Sequence, residues 1–214
     1  MRRETLGLPA RIEKLNADLQ NAQGEAERLR IQEKLQQGEA YYTELKVLNG
    51  VLPSATVDRS LTLPSKSHKV EIMWLGRGHT DGDLYIYVPD VRVMITGDAL
   101  HSGTPTMTDA SPYEWICTLA TVERFDIDTV IGGHGDILRG VAMFDVWRQY
   151  LSELMEGVAE LAASGKTLTD ARHILGPKLI AKYGKKFEDI PAPFSETVYT
   201  NIDIAFRIVC GRLA

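Results

Sequence analysis

Three times between residues 69 and 136, an apolar run ends on glycine and is followed by a histidine or an aspartate. KVEIMWL leads into GRGHTDGD and His79, VRVMIT into Gly97 and Asp98, and IDTVIGG into His134 and Asp136. Runs of Val, Ile, Leu and Tyr bounded by turn residues read as strands. A side chain at a strand end projects from a rigid scaffold, and flanking glycines let backbone and ligands approach closely. Three such ends on one sheet edge would gather two imidazoles and a carboxylate. That set suits zinc or a similar borderline metal. Singly, each pattern is ordinary turn chemistry. Jointly, they demand a fold that aligns strand ends.

The rest of the chain supplies the frame. Residues 8–48 are polar and helix-favouring, with Ile12, Leu15, Leu19, Ala22, Ala26 and Leu29 at steps of three and four. That is one stripe of an amphipathic helix, made to lie on a sheet or on another helix. The stripe fails at Glu33 and Gln36, which argues against a long coiled coil, and Gly38 reads as a break between two helices. TVDRSLTL, HKVEIMWL, DLYIYV and VRVMIT read as strands, the last two joined as a hairpin by Pro89 and Asp90. PYEWICTLATVERF reads as a helix before the IDTVIGG strand, which is α/β grammar. Helices follow from Phe144 to Ala163, stopping at Ser164-Gly165, then from a Thr167/Asp170 capping box, and from Ser195 to Arg212. The expected organisation is a helical segment (1–50), a β-rich core (51–143) and a C-terminal helical extension (144–214).

The order GHTDGDLYIYVP, ITGD, GGHGD resembles the second half of the metallo-β-lactamase-fold hydrolases. The resemblance covers residues 69–136. It implies an α/β (α+β) fold, a metallo-β-lactamase-like αββα sandwich with added C-terminal helices. It also implies that His79, Asp98 and His134 are metal ligands, with Asp98 bridging two zinc ions, or iron or manganese. The implied chemistry is attack by a metal-held hydroxide on a small ester, thioester, lactone or lactam. The family's first motif, H-x-H-x-D-H, has no counterpart, since His68 is the first histidine. The sandwich is therefore expected to be incomplete at the N-terminus, as in a truncated chain. At most one ion would be well held, and activity would be weak. The rival reading is a non-catalytic half-domain that dimerises, through its helices or an exposed sheet edge, or pairs with a partner.

Around the three ligands, Asp81 and Asp83 are expected to shape the turn after His79, His101 to be a loop histidine or to line the pocket, and Asp136 to cap its loop or support a ligand histidine. His68 reads as a surface residue, His173 falls on an expected helix with no partner evident in the sequence, and Trp74, Tyr85 and Tyr87 read as packing. Asp98 stands where one β-lactamase subclass has cysteine, which argues against that subclass. A net charge of −5 with dispersed basic residues argues against nucleic acid, leaving a small-molecule substrate. No apolar run reaches the ~18 residues a membrane span needs. No signal peptide is visible at the start, so a cytoplasmic location is the default expectation. Cys117 and Cys210 read as buried, unpaired thiols.

Overall fold

The computed structural model describes residues 2–48, 51–64, 66–190 and 192–211, with side chains from Gly7 onward. It forms two compact units, residues 1–55 and 56–214.

In the first unit, α1 (Arg2–Asn21) and α2 (Glu25–Val47) pack on each other. The chain reverses at residues 22–24, so the sequence stripe ends there. Ala26 and Leu29 lie on the exposed side, and the half-buried set in α2 is Ile31, Leu35, Gly38, Tyr42 and Leu45. These alternate at steps of four and three, the spacing that meets the matching set Leu8, Ile12, Leu15 and Leu19 on α1. Gly38 therefore does not break the helix. It lies inside α2, where a Cβ would sit 3.7 Å from Ile12 Cγ1.

The second unit is built on one six-stranded sheet in sequential order: β1 (Ser60–Leu63), β2 (Val70–Met73), β3 (Tyr85–Val88), β4 (Val93–Gly97), β5 (Thr129–Gly132) and β6 (Leu138–Arg139). The expected β3–β4 hairpin forms over a 3-10 turn, Pro89–Val91, closed by Arg92 at a left-handed φ of 54°. Neighbours pair antiparallel except β4 and β5, which are parallel and joined through α3 (Pro112–Val122). Strand β6, only two residues long, had no signal in the sequence. Three helices follow: α4 (Ala142–Ala163), α5 (Leu168–Tyr183) and α6 (Phe194–Val209). The capping box of Thr167 and Asp170 opens α5, and Gly165 takes a φ of 73° just after α4. The expected helix end at Arg212 lies outside the described residues.

The two faces of this sheet differ. On one, Met73, Tyr85, Tyr87, Met94 and Val130 are buried in a core with Trp115 and Leu119 of α3 and Phe144, Trp147 and Leu151 of α4. Each large side chain so buried contributes on the order of 1.5–3 kcal/mol. On the other face the register lines up Leu61, Ile72, Ile86, Ile95 and Ile131 across five strands. The ends of that aliphatic row, Leu61 and Ile131, are 41% and 37% exposed.

Both cysteines are exposed, contrary to expectation. Cys117 faces away from the buried side of α3 (Trp115, Thr118, Leu119 and Val122), and Cys210 caps the end of α6. No described helix is long and apolar enough to cross a membrane.

Candidate functional site

Strands β2, β4 and β5 run in the same direction: β2 and β4 are each antiparallel to β3, and β5 is parallel to β4. Their C-terminal ends therefore share one edge of the sheet. The segments carrying His79, Asp98 and His134 leave from that edge.

The His79 turn is held by its own residues and by α3, where the Thr118 hydroxyl donates to the Arg77 carbonyl at 2.8 Å and the Ser111 N–H to the Gly78 carbonyl at 3.0 Å. The Thr80 N–H donates to the Asp83 carboxylate, 3.1 Å to Oδ1 and 3.2 Å to Oδ2, and the Thr80 hydroxyl donates to it as well. Asp81 pairs with Arg77 through its carboxylate, and its carbonyl accepts from Trp74 Nε1 at 3.1 Å. The two acidic residues thus shape the turn by different means: Asp83 caps a backbone N–H, and Asp81 anchors a side chain. The Arg77–Asp81 contact holds the guanidinium above its ordinary pKa. His79 Nε2 lies 3.4 Å from Thr106 Oγ1, and its ring sits 6.0 Å from that of Trp115.

Asp98 and His134 meet. Asp98 Oδ1 is 3.3 Å from His134 Nε2, with the two side chains 41% and 47% exposed. Parallel pairing brings them together: the Gly133 N–H, one step beyond β5, donates to the carbonyl of Gly97 at the end of β4 at 2.8 Å. Gly133 must lack a side chain here, because a Cβ would lie 2.1 Å from Asp98 Oδ1.

His101 is a core residue, 2% exposed, instead of an open loop histidine. Its ring meets those of His134 at 5.5 Å and Trp147 at 5.0 Å, both edge to face, and Trp147 meets Trp115 at 5.3 Å. His79 and His134 therefore stand at the two ends of one aromatic arc. Burial pushes the His101 pKa down to about 4, so the ring is neutral near pH 7. The Gly103 N–H donates to its Nδ1 at 3.0 Å, which places the ring proton on Nε2. Asp136 contributes its backbone N–H, which donates to Ser102 Oγ at 3.2 Å. His68 lies apart at the surface, its Nδ1 3.6 Å from Asp90, and His173 is exposed on α5.

Two imidazoles and a carboxylate match in kind what a borderline divalent ion takes. In number the set falls short: among the described residues, no three His, Cys, Asp or Glu side chains converge. The Asp98–His134 pair is closed, and His79 stands beside Thr106.

Nothing in the sequence marks Thr106, Trp115, Trp147, Ser102 or Glu188 as neighbours of the site. The two tryptophans read as generic core. Glu188 reaches the site from the α5–α6 connection, where no local pattern distinguishes it.

Residues 68–134 match the sequence model of the metallo-beta-lactamase superfamily. Its structure is similar to the stereoselective inverting sec-alkylsulfatase Pisa1 from Pseudomonas sp. (TM-score 0.53, 15% identity, 74% of this chain and 27% of that one). It also matches a metallo-beta-lactamase from Pontibacter korlensis (TM-score 0.44, 17% identity, 51% of this chain and 53% of that one). The chain thus spans about half the length of that lactamase and about a quarter of the sulfatase. At 15% identity the likeness to the sulfatase speaks for the fold alone, a mixed α/β architecture of sheet and helices.

Proposed function

We propose that this chain supplies part of a zinc-type hydrolase site, in which Asp98 and His134 hold the ion and His79 faces them. The observation that carries this reading is the contact of Asp98 and His134 at the parallel ends of β4 and β5. When bound, such an ion polarises the scissile carbonyl and lowers the pKa of water toward about 7. The substrate class is a small ester, thioester, lactone or lactam. The chain's own residues do the positioning. Trp115 lies beside His79, neutral His101 lies against His134, and Asp83 fixes the turn that presents His79. Because the donor set is short of a full shell, weak binding of one ion and slow turnover are expected.

The test is hydrolysis of an ester, thioester, lactone and lactam panel by the purified chain, with and without added zinc and with Asp98→Asn as control. Slow zinc-dependent turnover that Asp98→Asn abolishes is the expected result. Turnover equal in Asp98→Asn and the native sequence would refute the reading.

One observation favours the second reading, a half-domain that pairs with a partner or another copy. The aliphatic row from Leu61 to Ile131 is a surface that sheet packing ordinarily covers. Multi-angle light scattering separates the cases: a dimer that Ile95→Lys dissociates supports pairing between copies, and a monomer at all concentrations opposes it.

A further inference from the structure

The geometry assigns Ser102 and Glu188 as a clamp that positions His134 from outside the strand-end motifs. This rests on the reading of His134 as a metal-holding residue. Ser102 Oγ donates to Glu188 Oε2 at 2.6 Å and accepts the Asp136 N–H at 3.2 Å. The Glu188 N–H in turn donates to the Ser102 carbonyl at 3.1 Å, and Gly103 and Glu188 form a parallel bridge. One serine thus ties together three segments: the loop after Asp98, the loop carrying His134, and the connection between α5 and α6.

The clamp closes on the residues next to His134. Gly135 takes a φ of 73°, and a Cβ there would lie 1.9 Å from Ser102 Oγ and 2.8 Å from Glu188 Oε2. Glycine is needed at this position on both counts, conformation and space. On its other side the loop is held by the Gly133–Gly97 hydrogen bond, and the His134 ring rests against His101. Without the Glu188 carboxylate, Ser102 Oγ loses the acceptor that orients it. The Asp136 N–H then loses a fixed partner, and the stretch 134–136 gains freedom within an exposed loop. Outer groups that orient a ligand typically contribute about 10–100-fold to metal affinity.

The experiment uses the full chain and its Glu188→Ala, Glu188→Gln and Ser102→Ala variants. Cobalt(II) is titrated in and followed by its visible absorption, and amide exchange is measured on a peptide covering 131–137. We expect Glu188→Ala and Ser102→Ala to weaken cobalt binding by about 10–100-fold and to speed exchange at Gly135 and Asp136. Glu188→Gln should restore both, since its amide oxygen still accepts from Ser102. The clamp is overturned if Glu188→Ala matches the native sequence in both readouts, or if Glu188→Gln is as impaired as the alanine variant. If the native chain takes up no cobalt, the ligand reading fails separately. Exchange then decides the clamp, faster in Glu188→Ala for it and unchanged against it. Should Glu188→Ala lose its helical circular dichroism, Ser102→Ala decides instead, because the Glu188 N–H to Ser102 carbonyl bond remains.

Discussion

The two histidine loops reach the same sheet edge with different supports. The His79 turn is fixed by neighbours, Thr80 with Asp83 and Arg77 with Asp81, and by α3, with Thr118 donating to the Arg77 carbonyl and Ser111 to the Gly78 carbonyl. The His134 loop is fixed from afar, by Ser102 34 residues before Asp136 and by Glu188, which is 86 residues from Ser102. The first combines a local cap with bonds to the start and middle of α3. The second is tied through Ser102 to the connection between α5 and α6. The loop that carries His134 is thus linked through Ser102 to the α5–α6 connection, and the loop that carries His79 is hydrogen-bonded to α3.

The coupling breaks hardest at the shared arc. Trp147→Ala removes a fully buried ring that touches both His101 and Trp115, and should cost about 3–5 kcal/mol in urea unfolding. It should disturb exchange at His134 more than at His79, because His101 then loses its support.

The next effect depends on pH. His101 has its folded pKa pushed down to about 4 by burial, against ~6.5 when unfolded. Between those values the unfolded chain takes up a proton that the folded chain does not. Stability is therefore fully present above about pH 6.5 and is lost as pH falls toward 4, by up to about 3 kcal/mol. Urea denaturation at pH 7.5 and 5 should show this loss in the metal-free chain, and His101→Phe should flatten the difference.

Gly135→Ala places a methyl group against Ser102 at a left-handed backbone position. It should cost about 1–3 kcal/mol and free the His134 loop while leaving residues 77–83 as protected as before. The mirror experiment is the mildest. Asp83→Ala removes the cap on Thr80, at a cost of about 1 kcal/mol. Exchange should rise at Thr80 alone, with no response at Gly135 or Asp136. Equal responses at both loops to either substitution would erase the distinction between them.

The same distinction explains what is legible in the sequence. Strand runs, the Pro89–Asp90 hairpin, the Thr167/Asp170 capping box and the shared strand-end pattern are short-range, and each appears in the structure. The helical stripe does not continue past Ala22 because the chain turns there, which moves Ala26 and Leu29 outward and lets Gly38 pack against Ile12 inside a continuous helix. His101 has the sequence surroundings of a loop histidine, yet its burial depends on Trp147 of α4, which no local pattern reveals. Cysteine is commonly an interior residue, whereas helix phase and helix end put Cys117 and Cys210 outside. Glu188 sits in a polar connection, and only tertiary packing brings it to Ser102.

The ends of β4 and β5 bring Asp98 and His134 into contact, and their proposed role is to hold a metal ion as a pair. Calorimetric titration of zinc into the metal-free chain, alongside Asp98→Ala and His134→Ala, tests it most directly. Weak binding of one ion per chain, lost in both variants, is the predicted result. Heats and stoichiometry unchanged by either substitution would contradict it.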